Sequence, residues 1–347
     1  MNVEFMNTLA SVVANATPLV IASIGETITE RAGVINLSLN GSLIVTAMAG
    51  FIAARVISFG VDVDAIDMIA PAEAGLIGGV LIAMLVGALV ALIIALSSIE
   101  LRLDQVTVGF ILTLLMADLA QFLGQEYTRI PGPVVPKWPV PLLQDLPLLG
   151  PVFFQQNVLV YLSYVLVIGL WFWLFRTRPG MAHRAIGERP EAAYARGTNV
   201  NRLRYVYVVL GGALVGVAGA AYSLHFKPGL SNPPAMQGDG WIALAIVIFG
   251  GWHPFRVVVG AWLFAALRAV SSDIQKNGLA VLGQTIEFNF VLLNGLPWLM
   301  LIVTLLLVSS GAIERLLLLL PGPVQRRMRS VLRSDPPRSI GTTFEVD

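Results

Sequence analysis

Long uncharged stretches separated by short clusters of ionisable residues run through the whole chain. A helix needs about 20 apolar residues to cross the hydrocarbon core of a bilayer. Gaps of that length lie between Glu4 and Glu26, Arg31 and Arg55, Glu73 and Glu100, Asp145 and Arg176, Arg204 and Lys227, and Glu287 and Glu314. Asp104 to Glu126 is a seventh, interrupted only by Asp118. Two shorter apolar pieces, Trp241 to Gly251 and Val257 to Leu267, meet at Gly250-Gly-Trp-His-Pro-Phe-Arg256. They form either two short crossings or a re-entrant pair. Arg256 at the junction favours two crossings, because an arginine near the midplane costs about 3 kcal/mol or more. The pattern predicts an all-α, polytopic helical membrane protein with about nine transmembrane helices, within a range of about eight to ten.

Composition agrees with that pattern. Of 347 residues, 56% are hydrophobic and only 12% charged, and the mean hydropathy is +0.78. Soluble domains carry about 25% charged residues, so the chain needs lipid around it. It contains no cysteine, which excludes disulfides and thiolate metal sites. The amino-terminal Met-Asn-Val-Glu-Phe-Met-Asn-Thr-Leu-Ala lacks a basic region ahead of its apolar stretch, so a cleavable signal peptide is not expected.

Charge placement sets an expected orientation. With the loop 176–205 on the cytoplasmic side, 16 basic residues fall inside and 6 outside; the reverse topology inverts the split. The positive-inside rule therefore predicts a cytoplasmic loop 176–205 and a cytoplasmic carboxyl terminus. It also makes the Pro-rich segment 125–151 extracytoplasmic, where it reads as an irregular cap. The expected division is a transmembrane domain over 1–311 and a basic cytoplasmic tail over 312–347, partly disordered. Small-xxx-small pairs such as Gly75/Gly79 and Gly212/Gly216 predict close helix contacts in lipid.

Several chemistries are missing. No Gly-Lys dipeptide occurs, so no P-loop cradles nucleotide phosphates. His183, His225 and His253 stand apart in the sequence. No carboxylate pair at helical spacing falls inside a predicted crossing, and Asp118 is the only carboxylate well inside one. No catalytic residues, metal site, cofactor or nucleic-acid partner are expected.

The basic loop has its own pattern. In Gly187-Glu-Arg-Pro-Glu-Ala-Ala-Tyr-Ala-Arg-Gly197, Pro190 suits a first helical position and Gly197 the residue past the end. Glu191 and Arg196 match the helix dipole at the two ends. These features predict a two-turn helix of about 10 Å, too short to be stable unless it docks on something.

Three blocks carry a family resemblance. Gly25-Glu-Thr-Ile-Thr-Glu-Arg-Ala-Gly-Val-Ile-Asn-Leu-Ser-Leu-Asn-Gly41 resembles the amino-terminal signature of permease subunits from ABC importers of nucleosides and simple sugars. Arg184-Ala-Ile-Gly-Glu-Arg-Pro-Glu-Ala-Ala-Tyr-Ala-Arg-Gly-Thr-Asn-Val200 is similar to that family's cytoplasmic coupling segment. Gly240-Trp-Ile-Ala-Leu-Ala-Ile-Val-Ile-Phe-Gly-Gly-Trp-His-Pro254 resembles its helix-then-Gly-Gly turn. The blocks keep family order over about residues 5 to 310, although Ser38 and Asn40 stand where the family more often has Gly and Glu.

The resemblance implies a non-catalytic transport subunit of the inner membrane, in the wider branched-chain amino acid and sugar permease superfamily. Its implied partners are a second, related permease, an ATPase that binds ATP and Mg²⁺, and an extracytoplasmic substrate-binding (lipo)protein. Glu188, Arg189, Glu191, Tyr194 and Arg196 are then the expected contacts with the ATPase. A hydroxyl-rich, uncharged solute calls for amides and other polar groups along its path; Asn36, Asn40, Asp118, Gln121 and Asn294 are the polar candidates in or beside the crossings. A branched-chain amino acid permease would share the architecture. An ATP-independent secondary transporter is the alternative from another class.

Overall fold

Each long uncharged stretch that the structure describes becomes a helix. The structure is a computed structural model that describes residues 3–62, 64, 69–147, 149–277, 279–281, 284–286, 295, 298–299, 302–303, 306 and 336–344. Along the chain these form α1 (Val3–Arg31), α2 (Leu39–Phe59), α3 (Ala72–Ala95), α4 (Gln105–Leu123) and α5 (Val158–Arg176). There follow α6 (Arg178–Glu188), α7 (Pro190–Ala195), α8 (Val200–Ala221), α9 (Asp239–Gly250) and α10 (Pro254–Asn277). Wider π-type turns prolong α3 through Glu100 and α8 through Phe226. A small antiparallel ribbon, Leu279–Val281 with Gln284–Ile286, is the departure from all-helical structure among the described residues.

Among the described residues, seven helices are long and apolar enough to cross a membrane, against about nine expected from helix length. The expected crossing between Glu287 and Glu314 lies largely outside the described residues. The pair at 241–267 resolves asymmetrically. Helix α9 has 12 residues and spans about 18 Å, short of the roughly 30 Å core, whereas α10 runs unbroken for 24 residues. Arg268, expected in an outer segment, therefore lies inside a spanning helix.

Side-chain caps set many of the helix ends. Asp104 accepts from the Thr107 amide at 2.7 Å and its hydroxyl at 2.5 Å, which holds the Asp104 carboxyl below the usual carboxylate range. Asn157 opens α5 and Asn199 opens α8 in the same way. The α9–α10 turn uses positive φ at Gly251 and Trp252, and both amides return to α9 carbonyls at 3.1 Å.

Helix α8 forms the centre, packed on α1, α2 and α3. Its spanning window is 72% buried, against 22% for α4, so α4 presents most of its surface to whatever surrounds the chain. The small-xxx-small expectation holds. A methyl group on Gly212 would come within 2.6 Å of the Gly87 carbonyl oxygen, and one on Gly79 within 2.5 Å of that of Gly50. Segment 125–151 is mostly irregular, tied to its surroundings by Arg129 N–Leu230 O (3.0 Å) and Trp138 N–Gln156 O (2.8 Å).

Part of the tail is seated on the bundle. Residues 336–344 do not run free but fold back against α6 and the α1–α2 turn. The reason is local: Phe344 is a large apolar side chain, and it is only 8% exposed there.

Candidate functional site

The basic loop folds into two helices rather than one. Thr177 caps α6, accepting from the Gly180 amide at 3.1 Å, with Pro179 in the first turn. Arg189 breaks the path at φ −149° and ψ 81°, and Pro190 starts α7. Gly197, at φ +85°, ends it as the sequence predicts; its amide reaches Tyr194 O at 2.8 Å and Thr198 N reaches Ala193 O at 3.1 Å. Helix α6 was not expected. Its signal was present in the Thr-x-Pro start, but its buried face is Gly180, His183, Ile186 and Gly187, of which Ile186 alone is a large apolar residue.

The docking that so short a helix requires is visible. Pro190 and Ala193 are buried, and α7 rests on α6 and α8. Glu188, Arg189, Glu191, Tyr194 and Arg196 all remain exposed on the outer side. Arg189, Arg196 and Glu188 share one surface cavity of about 450 Å³ with Arg338 of the tail, over a floor of alanines. Tyr194 instead meets the Phe344 ring at 5.8 Å.

All three resemblance blocks converge on the end of α1. A methyl group on Gly187 would collide with the Arg31 carbonyl oxygen, so α6 lies directly on the α1 backbone. The Arg31 guanidinium donates to Trp252 O at 2.7 Å, and the Trp252 indole N–H donates to Glu30. Glu26 accepts from the Asn36 amide at 3.3 Å. Glu26 and Glu30 thus form a buried i, i+4 carboxylate pair in α1. This corrects the expectation that no such pair lies inside a crossing: α1 continues past Glu26 to Arg31.

His183 fastens α6 to the bundle. Its Nε2 donates to Ile28 O at 2.9 Å, and its ring packs 4.0 Å from Tyr207 and 5.3 Å from Trp173. Nδ1 is buried without a hydrogen-bond partner among the described residues. Burial, aided by the Arg31 and Arg184 charges, pushes the imidazole down to about 3. An unfolded histidine takes a proton below about 6.5, whereas the folded one stays neutral. Stability is therefore fully present above that pH and falls as the pH drops toward 3, by up to about 1.4 kcal/mol per unit. Thermal unfolding in detergent should show this acid slope, and His183→Phe should make it shallower. His253, pushed down to about 4 by burial and by Arg256 and Arg31, supplies part of the slope, so the variant should not abolish it. Identical slopes in both proteins would contradict the buried neutral state of His183.

The polar candidates of the crossings separate by environment. Asn36 closes the turn into α2, its oxygen accepting from the Ser38 amide and hydroxyl at 3.1 and 2.6 Å. Asn40 accepts from the Gly238 and Gly240 amides at 2.9 and 3.3 Å, pinning the start of α9 to α2. Both are buried. Asp118 is exposed on α4, and Gln121, three residues on, borders a cavity of about 170 Å³. That cavity lies between α2, α4 and the 227–236 connection, and Thr128, Lys227, Ser231 and Asn232 add polar groups to its wall. Asn294 lies outside the described residues.

A further cluster was not foreseen. Arg268 grips both oxygens of Asp239, with Nη1 at 2.9 Å from Oδ2 and Nη2 on Oδ1, and the Tyr222 hydroxyl donates to Oδ2. It holds the start of α9 to α8 and α10, beside the 227–236 connection.

Among the described residues the chain is a bundle of helices long and apolar enough to span a membrane, with a short exposed helix mounted on one face. The chain belongs to the family described as "Branched-chain amino acid transport system / permease component", which it matches over residues 8–309. It is 33% identical to the nucleoside ABC transporter permease NupC of Lactococcus lactis, over 77% of this chain and 83% of that protein. It is 34% identical to the guanosine ABC transporter permease NupQ of Bacillus subtilis, over 74% and 79% respectively. A Haloferax volcanii protein provisionally named a glucose ABC transporter permease is 36% identical over 79% of each chain. The chain is a multi-pass ABC transporter permease.

Proposed function

We propose that the chain is one of two permease subunits of an inner-membrane ABC importer for a nucleoside or simple sugar. ATP and Mg²⁺ bind a separate ATPase subunit, which docks from the cytoplasm on α7. Glu188, Arg189, Glu191, Tyr194 and Arg196 are its contacts. One observation carries this reading: α7 is exposed on its outer side, yet α6, on which it rests, is locked to α1, α5 and α8 through Gly187 and His183. A push on α7 is therefore delivered to α1 without slack.

The cavity beside Gln121 lies at the opposite, extracytoplasmic end and is the proposed entry for solute released by a binding protein. Its amides and hydroxyls, with one cation at Lys227, suit a hydroxyl-rich neutral solute better than a branched-chain amino acid with its paired charges. The sugar and nucleoside names of the relatives support that cargo. Asp118, exposed on the least buried spanning helix, would be costly against lipid. We assign its face to the second permease subunit and the water-filled path between the two.

The double variant Glu191→Ala/Arg196→Ala tests the coupling role. In vesicles holding the complete transporter, solute uptake per ATP hydrolysed should fall at least about tenfold, corresponding to about 1.4 kcal/mol of lost coupling. Unchanged coupling would rule α7 out as the transmitting element.

A further inference from the structure

The carboxyl-terminal segment is too well held to be a loose end. The Ser339 amide and hydroxyl donate to Gly187 O at 2.9 and 2.7 Å, on the residue where α6 lies against α1. The Gly341 amide donates to Gly33 O at 3.0 Å, on the turn between α1 and α2. The buried guanidinium of Arg204 bridges Ala32 O and Thr342 O at 3.1 and 3.0 Å. Phe344 then packs on Tyr194 of α7. Residues 336–344 thus touch the α1–α2 turn, α6, α7 and α8 together, and they leave Arg338 exposed at the rim of the alanine-floored cavity.

The charges that the described residues bring to that cavity are mostly positive. Among the described residues, Arg189, Arg196 and Arg338 surround it, with Glu188 as the single carboxylate in its wall. Ala185, Ala192 and Ala193 keep the floor shallow and free of long side chains. Guanidinium groups around a small apolar floor favour a carboxylate-bearing partner, since arginine presents a planar fork that matches carboxylate geometry. Two of the three arginines come from the loop and the third from the far end of the sequence.

We propose that the ATPase-docking surface is composite, with the chain's own segment 336–344 forming one wall, and that it receives an acidic element of the ATPase subunit. This rests on the assignment of α7 as the ATPase contact. The tail also carries force: because its backbone is bonded to Gly33 and Gly187, an element seated against Arg338 pushes on the α1–α2 turn as well as on α7.

The test uses the affinity-tagged full-length chain purified in detergent from its own membranes, with co-eluting ATP hydrolysis measured across a salt series. Wild type should retain ATPase activity that falls as salt rises. Arg338→Glu should retain at least about tenfold less at low salt, Arg338→Lys should recover most of it, and Arg196→Glu should match the loss. Thermal midpoints of the purified chain should be unchanged in Arg338→Glu, because that side chain is exposed. If Arg196→Glu loses the ATPase and Arg338→Glu keeps it, the composite surface is wrong and docking on α7 stands. If neither variant loses it, or wild type retains none, docking on α7 falls as well.

Discussion

Gly216→Leu is expected to yield no monodisperse protein, because it forces apart the two helices at the centre of the bundle. A side-chain carbon at Gly216 would collide with the Ala83 carbonyl oxygen and sit 2.7 Å from the Met84 Cα. Both obstacles are backbone, so no rotamer change relieves them. Gly87 and Gly212 meet the opposite helix just as closely, and α3 cannot move away from α8 at one point without opening the whole crossing. Helices in lipid gain little from apolar burial and depend on close packing. Overpacking commonly costs 1–3 kcal/mol; a leucine against rigid backbone should exceed about 3 kcal/mol and leave aggregate. Gly169→Leu is the matched control, since nothing lies within 4 Å of a side-chain carbon there. Size-exclusion profiles and thermal midpoints in detergent distinguish the two. A Gly216→Leu protein that elutes and melts like wild type would contradict the α3–α8 contact.

The same glycines show what the sequence makes legible. Gly212 and Gly216 can be read as a small-xxx-small pair, and Gly87, which completes the contact from α3, is spaced four residues from Ala83 and Ala91 in the same way; that the two stripes face each other is visible only in the fold. The spanning helices are legible because charge is too costly to leave in hydrocarbon, so uncharged gaps measure them directly. That logic misleads where a buried charge has a partner. Arg268 reads as the end of a crossing because arginine is expensive in lipid, yet Asp239 holds it inside α10. Glu26 and Glu30 read as a boundary for the same reason, although the Asn36 amide and the Trp252 indole each donate to one of them within the fold. Partners 222 residues apart, as for Glu30 and Trp252, leave no local trace.

The proposed coupling surface was legible in half. Pro190 and Gly197 mark α7 through local rules that act whatever surrounds it. What makes α7 useful is non-local: Gly187 on Arg31, His183 on Ile28, and the tail across both. Asn36 and Asn40 show the converse. As polar residues at the edge of a crossing they looked available to a solute, but each spends its oxygen on backbone amides, and only the fold reveals that.

Arg268→Ala should be the most damaging single change among the charged residues described. Asp239 is 3% exposed in its side chain and sits at the first residue of α9. Without the guanidinium, Tyr222 and the α9 terminus alone face a full carboxylate charge. Removing one partner of a buried pair costs about 3–5 kcal/mol, mostly through the charge left behind. Asp239→Asn should cost less, because Arg268 is 29% exposed and its long stem can carry the charge toward water. The double variant Asp239→Asn/Arg268→Ala should be more stable than Arg268→Ala alone, since it strands nothing; that gap measures the coupling between the two residues. Solute uptake should follow the same order, because the cluster fixes α9 beside the connection that walls the outer cavity. Thermal midpoints and uptake by the three variants provide the check. Equal losses in Arg268→Ala and the double variant would mean that the carboxylate is not what destabilises the protein, and that Arg268 acts through packing alone.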